Sequence, residues 1–123
     1  MKRPNLVEMS QSRLVDRFVD ICLAQGEALL EDDLKKFSRL FEQMRAIVEE
    51  LKARPGDQRR ALLSLYEHPN LQVRLKAAKN TLAVAPDAAR EVLRTIVDSG
   101  EYPQAMEAGM SLWNLERGTF KPT

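Results

Sequence analysis

Apolar residues recur along this chain every three or four positions, the spacing that places them on one face of an α-helix. The clearest stretch lies between Asp33 and Arg54 and carries Leu34, Phe37, Phe41, Met44, Val48 and Leu51, with Leu40 and Ile47 widening the stripe. Asp32 or Asp33 can cap its start, because a carboxylate there accepts free backbone N–H groups. Arg54-Pro55-Gly56 stops the pattern. We therefore predict a long amphipathic helix that pairs with a neighbouring helix as a hairpin.

Five other segments have the same periodicity, and turn-forming residues separate them. The first runs from about Ser10 into the high twenties, with Leu14, Phe18, Ile21 and Cys22 inward. The next begins at Asp57, ends at His68-Pro69-Asn70, and is followed by one that starts at Asn70. The last two begin near Pro86 and Tyr102 and end at Gly100 and Gly118. Six helices and no strand pattern predict an all-α protein of about three antiparallel helix pairs.

The length and composition fit one globular domain. The chain has 123 residues, a mass of 14.0 kDa and a formal net charge of +1, so no overall field favours a nucleic acid or a membrane. We expect an N-terminal extension at 1–9, a single helical domain at 10–118 and a tail at 119–123. The opening Met1–Pro4 is basic, but polar residues follow it and argue against a signal peptide. With one cysteine and no long apolar run, the chain is expected in a reducing cytoplasm.

The middle of the chain resembles one HEAT-type repeat. An apolar helix with Leu62, Leu63 and Tyr66 leads to a turn at His68-Pro69, followed by Val73-Arg74, Ala77-Ala78 and Leu82. The resemblance implies an α-α superhelix of the HEAT or armadillo type, in which small alanines allow close helix packing. In such repeats the matching arginine braces the turn between helices. The resemblance therefore implies a structural role for Arg74.

From about Leu14 to its end, the chain is also similar to a small bacterial family of uncharacterised helical-repeat proteins that share this motif and a tryptophan shortly before a glycine, here Trp113 and Gly118. A shift of 31 residues aligns Ala77 with Ala108 and Leu82 with Trp113, which suggests a degenerate second copy of the repeat. The resemblance implies a fold and supplies no activity.

The residues that most often carry chemistry are few. The chain has one histidine and one cysteine, so we expect no metal site, no cofactor and no catalysis. Cys22 lies on an apolar stripe and is expected to be buried, and His68 is expected to support a turn. Acidic residues 31–33 are expected to cap a helix. Trp113, with Met106 and Met110, has the spacing of a core face and is expected to be buried rather than to form a ligand cup.

Positive charge is concentrated in the middle of the chain. Residues 52–79 carry seven basic and two acidic side chains. Arg59, Arg60, Lys76 and Lys79 form a candidate interaction patch. The alternative is an ordinary solvated face, and no aromatic residues interleave with these cations to stack on bases.

Three functions remain open. The first is a protein–protein interaction module without catalysis, because stacked helix pairs offer surface rather than chemistry. The second is nucleic-acid binding through the basic middle repeat, with the base-repair chemistry of some HEAT-like glycosylases as its extension. The third is an enzyme of another kind. No membrane or metal partner is expected.

Overall fold

The computed structural model describes residues 5–123, and residues 1–4 of the expected N-terminal extension lie outside that range. The described residues form five α-helices and two 3₁₀ segments, and no strand occurs among them. In chain order these are the 3₁₀ turn Leu6–Glu8, α1 (Gln11–Leu30), α2 (Leu34–Ala53), the 3₁₀ segment Gln58–Glu67, α3 (Leu71–Lys79), α4 (Pro86–Ser99) and α5 (Gln104–Glu116). The all-α prediction is confirmed.

The chain divides into two compact units, one extending to Ala61 and the other beginning at Leu62. In the first unit, α1 and α2 pack against each other. Only three residues join them, so the two helices run antiparallel. Their facing stripes form a core of fully or almost fully buried side chains: Leu14, Phe18, Ile21, Cys22, Met44, Ile47 and Leu51. The predicted burial of Cys22 is confirmed.

Both helix starts in this unit are capped, and the sequence predicts the cap at Asp33. The Ser10 hydroxyl accepts the N–H of Arg13 at 3.2 Å, and an Asp33 carboxylate oxygen accepts the N–H of Lys36 at 3.0 Å. Each bond satisfies a backbone donor that has no partner inside its helix. These caps explain why the two starts were readable from the sequence.

Arg54 anchors the described part of the N-terminal extension. Its Nη2 donates to the carbonyl oxygens of Leu6 at 3.0 Å and Met9 at 2.6 Å. Its Nε donates to Glu50 at 2.8 Å, which fixes the guanidinium at the end of α2. Residues 5–9 are therefore tied to the helical hairpin. From the sequence, Arg54 was interpreted as part of a helix stop and as one of the cations of the basic middle segment.

The hairpin tip differs from the sequence prediction. Leu34 is 69% exposed and Phe41 is 45% exposed, although both belong to the predicted buried stripe of α2. Leu30, at the end of α1, is 87% exposed. The buried stripe of α2 begins at Leu40. Hydrophobic spacing identified the buried face of α2 correctly, but it does not show how much of the length of that face is covered by α1.

The third predicted helix is a 3₁₀ segment rather than an α-helix. Its buried residues are Arg59, Leu62 and Leu65, which repeat every three positions. A 3₁₀ helix has three residues per turn, so side chains at i and i+3 align on one face. The position of the element was predicted correctly, but its type was wrong, because the sequence was interpreted at 3.6 residues per turn whereas the buried residues repeat every three.

In the second unit, α3, α4 and α5 pack around one apolar cluster. Its buried members are Leu75, Ala78, Leu82, Ala89, Leu93, Ile96 and Ala108, with Tyr66, Leu71, Val92, Leu112 and Leu115 packed against them. Val73 and Ala77 are also fully buried. The Asn70 side chain caps α3 by accepting the N–H of Val73 at 3.2 Å. Gly100, with φ of 66°, ends α4 in the left-handed conformation that glycine adopts without steric cost.

Candidate interaction surface on the last helix

The apolar stripe of α5 faces outward. Met106 is 55% exposed, Met110 is 60% exposed and Trp113 is 59% exposed, and Tyr102, just before the helix, is 74% exposed. The sequence prediction that these residues form a buried core face is wrong. We call Tyr102, Met106, Met110 and Trp113 the α5 stripe.

The opposite face of α5 is buried and is lined by smaller residues. Ala105, Ala108 and Ser111 are at most 9% exposed, and Leu112 and Leu115 pack against the core of the unit. Small side chains let the helix axis approach its neighbours closely. α5 is therefore apolar on both faces, and the larger side chains lie on the outer one. This arrangement is why periodicity alone identified the wrong buried face.

Opposite charges flank the α5 stripe along the chain. The Arg117 guanidinium lies over the Trp113 ring, 5.2 Å from its centroid, in a cation–π contact. Glu101 is exposed and lies three residues before α5, and its carbonyl oxygen accepts the N–H of Ala105 at 2.8 Å. The stripe residues themselves carry no charge. The surface therefore has an apolar centre and a basic residue at its C-terminal end.

A single carboxylate joins α5 to α3 through two lysines. Oε2 of Glu107 accepts from Nζ of Lys76 at 2.6 Å and from Nζ of Lys79 at 3.0 Å. Burial acts to raise the pKa of the Glu107 carboxyl, but the charges and hydrogen bonds of the two lysines outweigh it and hold that pKa below its ordinary value. The Lys76 side chain is only 6% exposed. These two ion pairs hold α5 against α3, and they were not predicted from the sequence.

Arg59 is held within its own segment. It is 7% exposed, and its guanidinium donates to both carboxylate oxygens of Asp57 at 2.8 and 2.6 Å. These bonds hold the pKa of Asp57 below its ordinary value, against an opposing effect of burial. Arg60 is exposed.

These contacts correct the candidate basic patch. Arg59 and Lys76 are buried, and carboxylates pair with Arg59, Lys76 and Lys79. Of the four cations in the candidate patch, only Arg60 is exposed as the sequence predicts. The positive charge of the middle segment is partly compensated on folding, because Glu107 from outside that segment pairs with two of its lysines.

Arg74 does not make the bracing contact that the HEAT resemblance implies. Arg74 is half-buried on α3, and within residues 5–123 no hydrogen bond or ion pair holds its guanidinium. Lys76, two residues later, makes the charged contact to a neighbouring helix instead. Two residues advance a helix by about 200°, so the two side chains leave α3 on nearly opposite sides. The cation that braces this unit is therefore on the other face of α3.

The side chains that most often take part in catalysis, Cys22 and His68, have structural roles. Cys22 is fully buried, and Nδ1 of His68 accepts the N–H of Asn70 at 3.0 Å, which confirms the predicted turn contact. Within the described chain, no group of three or more histidine, cysteine or acidic residues is arranged to hold a metal ion. No described helix is both long and apolar enough to cross a membrane.

The first unit has a cleft of about 740 Å³ between residues of α1, α2 and the N-terminal 3₁₀ turn. Its lining is Leu6, Arg17, Arg39, Glu42, Gln43, Arg45, Ala46, Ile47 and Glu49. Glu42 and Arg45 pair with each other at 3.0 Å, and both side chains are 63% exposed. Such an exposed pair contributes little energy, and the cleft has the mixed charge of an ordinary solvated surface.

Comparison with known proteins agrees with this fold. The chain is similar over 98% of its length to the crystal structure of the protein RPA1889 from Rhodopseudomonas palustris CGA009, with 54% sequence identity, a TM-score of 0.95 and coverage of all of that chain. No curated protein matches the chain. A family model described as "Domain of unknown function (DUF2019)" matches residues 12–116. The chain therefore belongs to the DUF2019 family, which agrees with the resemblance to an uncharacterised bacterial family.

Proposed function

We propose that this protein binds another protein chain through the α5 stripe and does not catalyse a reaction. The observation that carries the proposal is the exposure of four large apolar side chains: Met106, Met110 and Trp113 on one side of α5, and Tyr102 just before it. From Met106 to Trp113 they extend about 10 Å along α5, and the four side chains present on the order of 500 Å² of apolar surface, near the largest patch of a typical monomer. Tryptophan, tyrosine and methionine are enriched at protein interfaces.

The proposed absence of catalysis is supported by the structural contacts that the reactive side chains make. The Cys22 thiol is enclosed in the core of the helical hairpin, and the His68 ring supports a turn. The Glu107 carboxylate is neutralised by two lysines, which lowers its pKa rather than raising it toward the range of a general acid.

The proposal includes two finer features. We assign the helices to the HEAT type because α3 buries Val73, Ala77 and Ala78 as the repeat requires. We place the protein in a bacterial cytoplasm because its relative of known structure is bacterial and its one cysteine is buried in the helical hairpin.

Site-specific photo-crosslinking in cells tests the binding surface. A photoreactive phenylalanine analogue at Met106 is expected to give a discrete protein adduct, because that side chain lies on the α5 stripe. The matched control is the same analogue at Glu91, an exposed position on α4 of the same unit, and it should give none.

Three results would refute the proposal. They are equal crosslinking from both positions, an adduct that survives Met110→Glu, and an adduct that nuclease removes. The last result would favour the nucleic-acid alternative. That alternative also requires binding that weakens with salt at a log–log slope of about −0.9 per neutralised duplex phosphate and is lost on charge reversal at Arg60 and Lys79.

A further inference from the structure

We propose that Met106 and Met110 are sites of reversible oxidation by peroxides, and that their conversion to methionine sulfoxide makes the α5 stripe polar and prevents it from binding a partner. This inference rests on the proposed function and names the regulation of that same surface. It depends on how exposed each methionine is, on which face of α5 packs, and on what an added oxygen atom changes.

The structure separates the methionines by exposure. Four of the five methionines lie within residues 5–123. Met44 is buried in the core of the helical hairpin and Met9 is half-buried, whereas more than half of the surface of Met106 and of Met110 is exposed. An oxidant in solution reaches the two exposed thioethers in the folded protein, but it reaches Met44 only when the hairpin opens. The fold therefore selects the two methionines of the α5 stripe.

The reaction is an oxygen-atom transfer in which hydrogen peroxide or an organic peroxide is the oxidant. The thioether sulfur attacks one peroxide oxygen, the O–O bond breaks and an S–O bond forms. The proton of the transferred oxygen moves to the departing oxygen, which leaves as water or as an alcohol. Sulfur loses two electrons, and the peroxide gains them. Methionine sulfoxide reductases reverse the change with two thiols, which become a disulfide while the oxygen leaves as water.

The fold should tolerate these sulfoxides because α5 packs through its other face. Ala105, Ala108 and Ser111 are buried on that face, and Glu107 pairs with two lysines of α3. None of these contacts involves the exposed methionines. A sulfoxide oxygen on the outer face is therefore solvated outside the core, and the modification changes the surface without unfolding the unit.

The added oxygen atoms change the centre of the α5 stripe. Met106 and Met110 are four residues apart on one helix, and Trp113 follows three residues later, so the three side chains are neighbours on the helix surface. A sulfoxide is a polar hydrogen-bond acceptor, whereas the thioether is apolar and flexible. Burying an unpaired polar group against an apolar partner is unfavourable. Oxidation therefore removes the property on which the proposed binding depends.

Peptide mass mapping of the full chain during exposure to hydrogen peroxide tests the selectivity. Met106 and Met110 should each gain one oxygen atom at least about tenfold faster than Met44, because Met44 reacts only after local opening. In urea, where the fold is lost, the same three methionines should react at similar rates. Equal rates in the native chain, or loss of helical circular dichroism as the two exposed methionines oxidise, would overturn the proposal.

Hydrophobic-interaction chromatography measures the change in the surface without a partner. Oxidised wild type should elute earlier than the unmodified protein, and treatment with reductases for both sulfoxide epimers should restore its retention. The matched control is the double variant Met106→Leu with Met110→Leu, because leucine is similar in size and helix propensity but has no sulfur to oxidise. Peroxide should not change the retention of this variant. An equal shift in the variant would place the change elsewhere in the chain and would count against the two methionines.

The photo-crosslinking variant tests the effect on binding. The purified chain with the photoreactive analogue at Met106 still contains Met110, and it is oxidised, freed of peroxide and returned to cell lysate. The amount of adduct should fall as the Met110 sulfoxide accumulates, and reductase treatment should restore it. Adding Met9→Leu, which removes the half-buried thioether, should not alter this loss.

The remaining outcomes separate this inference from the proposed function. An adduct that persists when Met110 is fully oxidised, or a loss that the reductases do not reverse, would reject the regulation and leave the binding surface in place. If the unoxidised chain gives no adduct in cells, the proposed function fails, and the proposed regulation fails with it.

Discussion

Replacing Glu107 with glutamine tests the buried charge network between α3 and α5. The change keeps the size of the side chain and one hydrogen-bond acceptor, but it leaves the Lys76 ammonium, only 6% exposed, without its closest counter-charge. Removing one partner of a fully buried ion pair costs about 3–5 kcal/mol, whereas an exposed pair contributes under about 1 kcal/mol. The Glu107 side chain is 32% exposed, so an intermediate loss of about 2 kcal/mol is expected.

This loss is measurable as a change in melting temperature. The entropy of unfolding is about 2.1 cal/mol/K per residue, so about 2 kcal/mol corresponds to a decrease of about 8 °C if the chain unfolds in one transition. The matched control is Glu116→Gln, which removes an exposed carboxylate from the same helix and should change stability by less than about 0.5 kcal/mol. Adding Lys76→Met to Glu107→Gln should recover most of the loss, because the uncompensated buried charge is then gone.

The pH dependence gives an independent check of the sign. The pKa of Glu107 is lowered in the folded state, so its contribution to stability is fully present above the unfolded value of about 4.5 and is lost as the pH falls through the folded pKa. The difference in melting temperature between wild type and Glu107→Gln should therefore shrink between pH 7 and pH 3. Equal melting temperatures at pH 7, or a double variant no more stable than Glu107→Gln, would refute the reasoning.

Four further predictions concern single side chains. Arg74→Ala should reduce the free energy of unfolding by less than about 1 kcal/mol in urea titration, because no ion pair holds the guanidinium, and a loss above about 2 kcal/mol would restore its bracing role. Cys22 should react with a thiol reagent only as fast as the protein opens, so rapid labelling of the native protein would contradict its burial. Trp113→Ala should cost far less than the 3–5 kcal/mol of a core tryptophan, and acrylamide should quench native Trp113 fluorescence efficiently. In a Tyr102→Phe background, absorbance titration should show Tyr66 ionising above its ordinary pKa of 10.0, because burial raises the pKa more than its hydrogen bond to Thr81 lowers it; ionisation at or below 10.0 would count against that burial.

The element boundaries were largely readable from the sequence because local chemistry determines them. Ser10, Asp33 and Asn70 each accept a backbone N–H of the helix that follows. Gly100 and Gly118 have φ of 66° and 71°, which few other residues tolerate. These signals act over three or four residues, so they do not depend on the rest of the fold.

The charge network was not readable, because ion pairing depends on distance in space. Counting charges along residues 52–79 gave a basic segment, yet Lys76 and Lys79 share a carboxylate that lies 31 and 28 residues away. The apolar stem of a lysine can cross a packed interface while its ammonium finds a partner beyond it. A local excess of charge therefore indicates a surface patch only after the partners from other helices are known.

The last helix shows why a hydrophobic stripe does not by itself locate a core. Periodicity measures the contrast between two faces, and α5 has apolar residues on both of them. Ala108 is fully buried, whereas Trp113 is 59% exposed, so the helix packs through its smaller residues and exposes its larger ones. Packing the larger face inward would require the neighbouring helices to move apart and would expose the alanine face that now fits between them. Because small residues already fill the interior beside α5, its large apolar side chains are not needed for packing within this unit, and their exposure is the basis of the proposed binding surface.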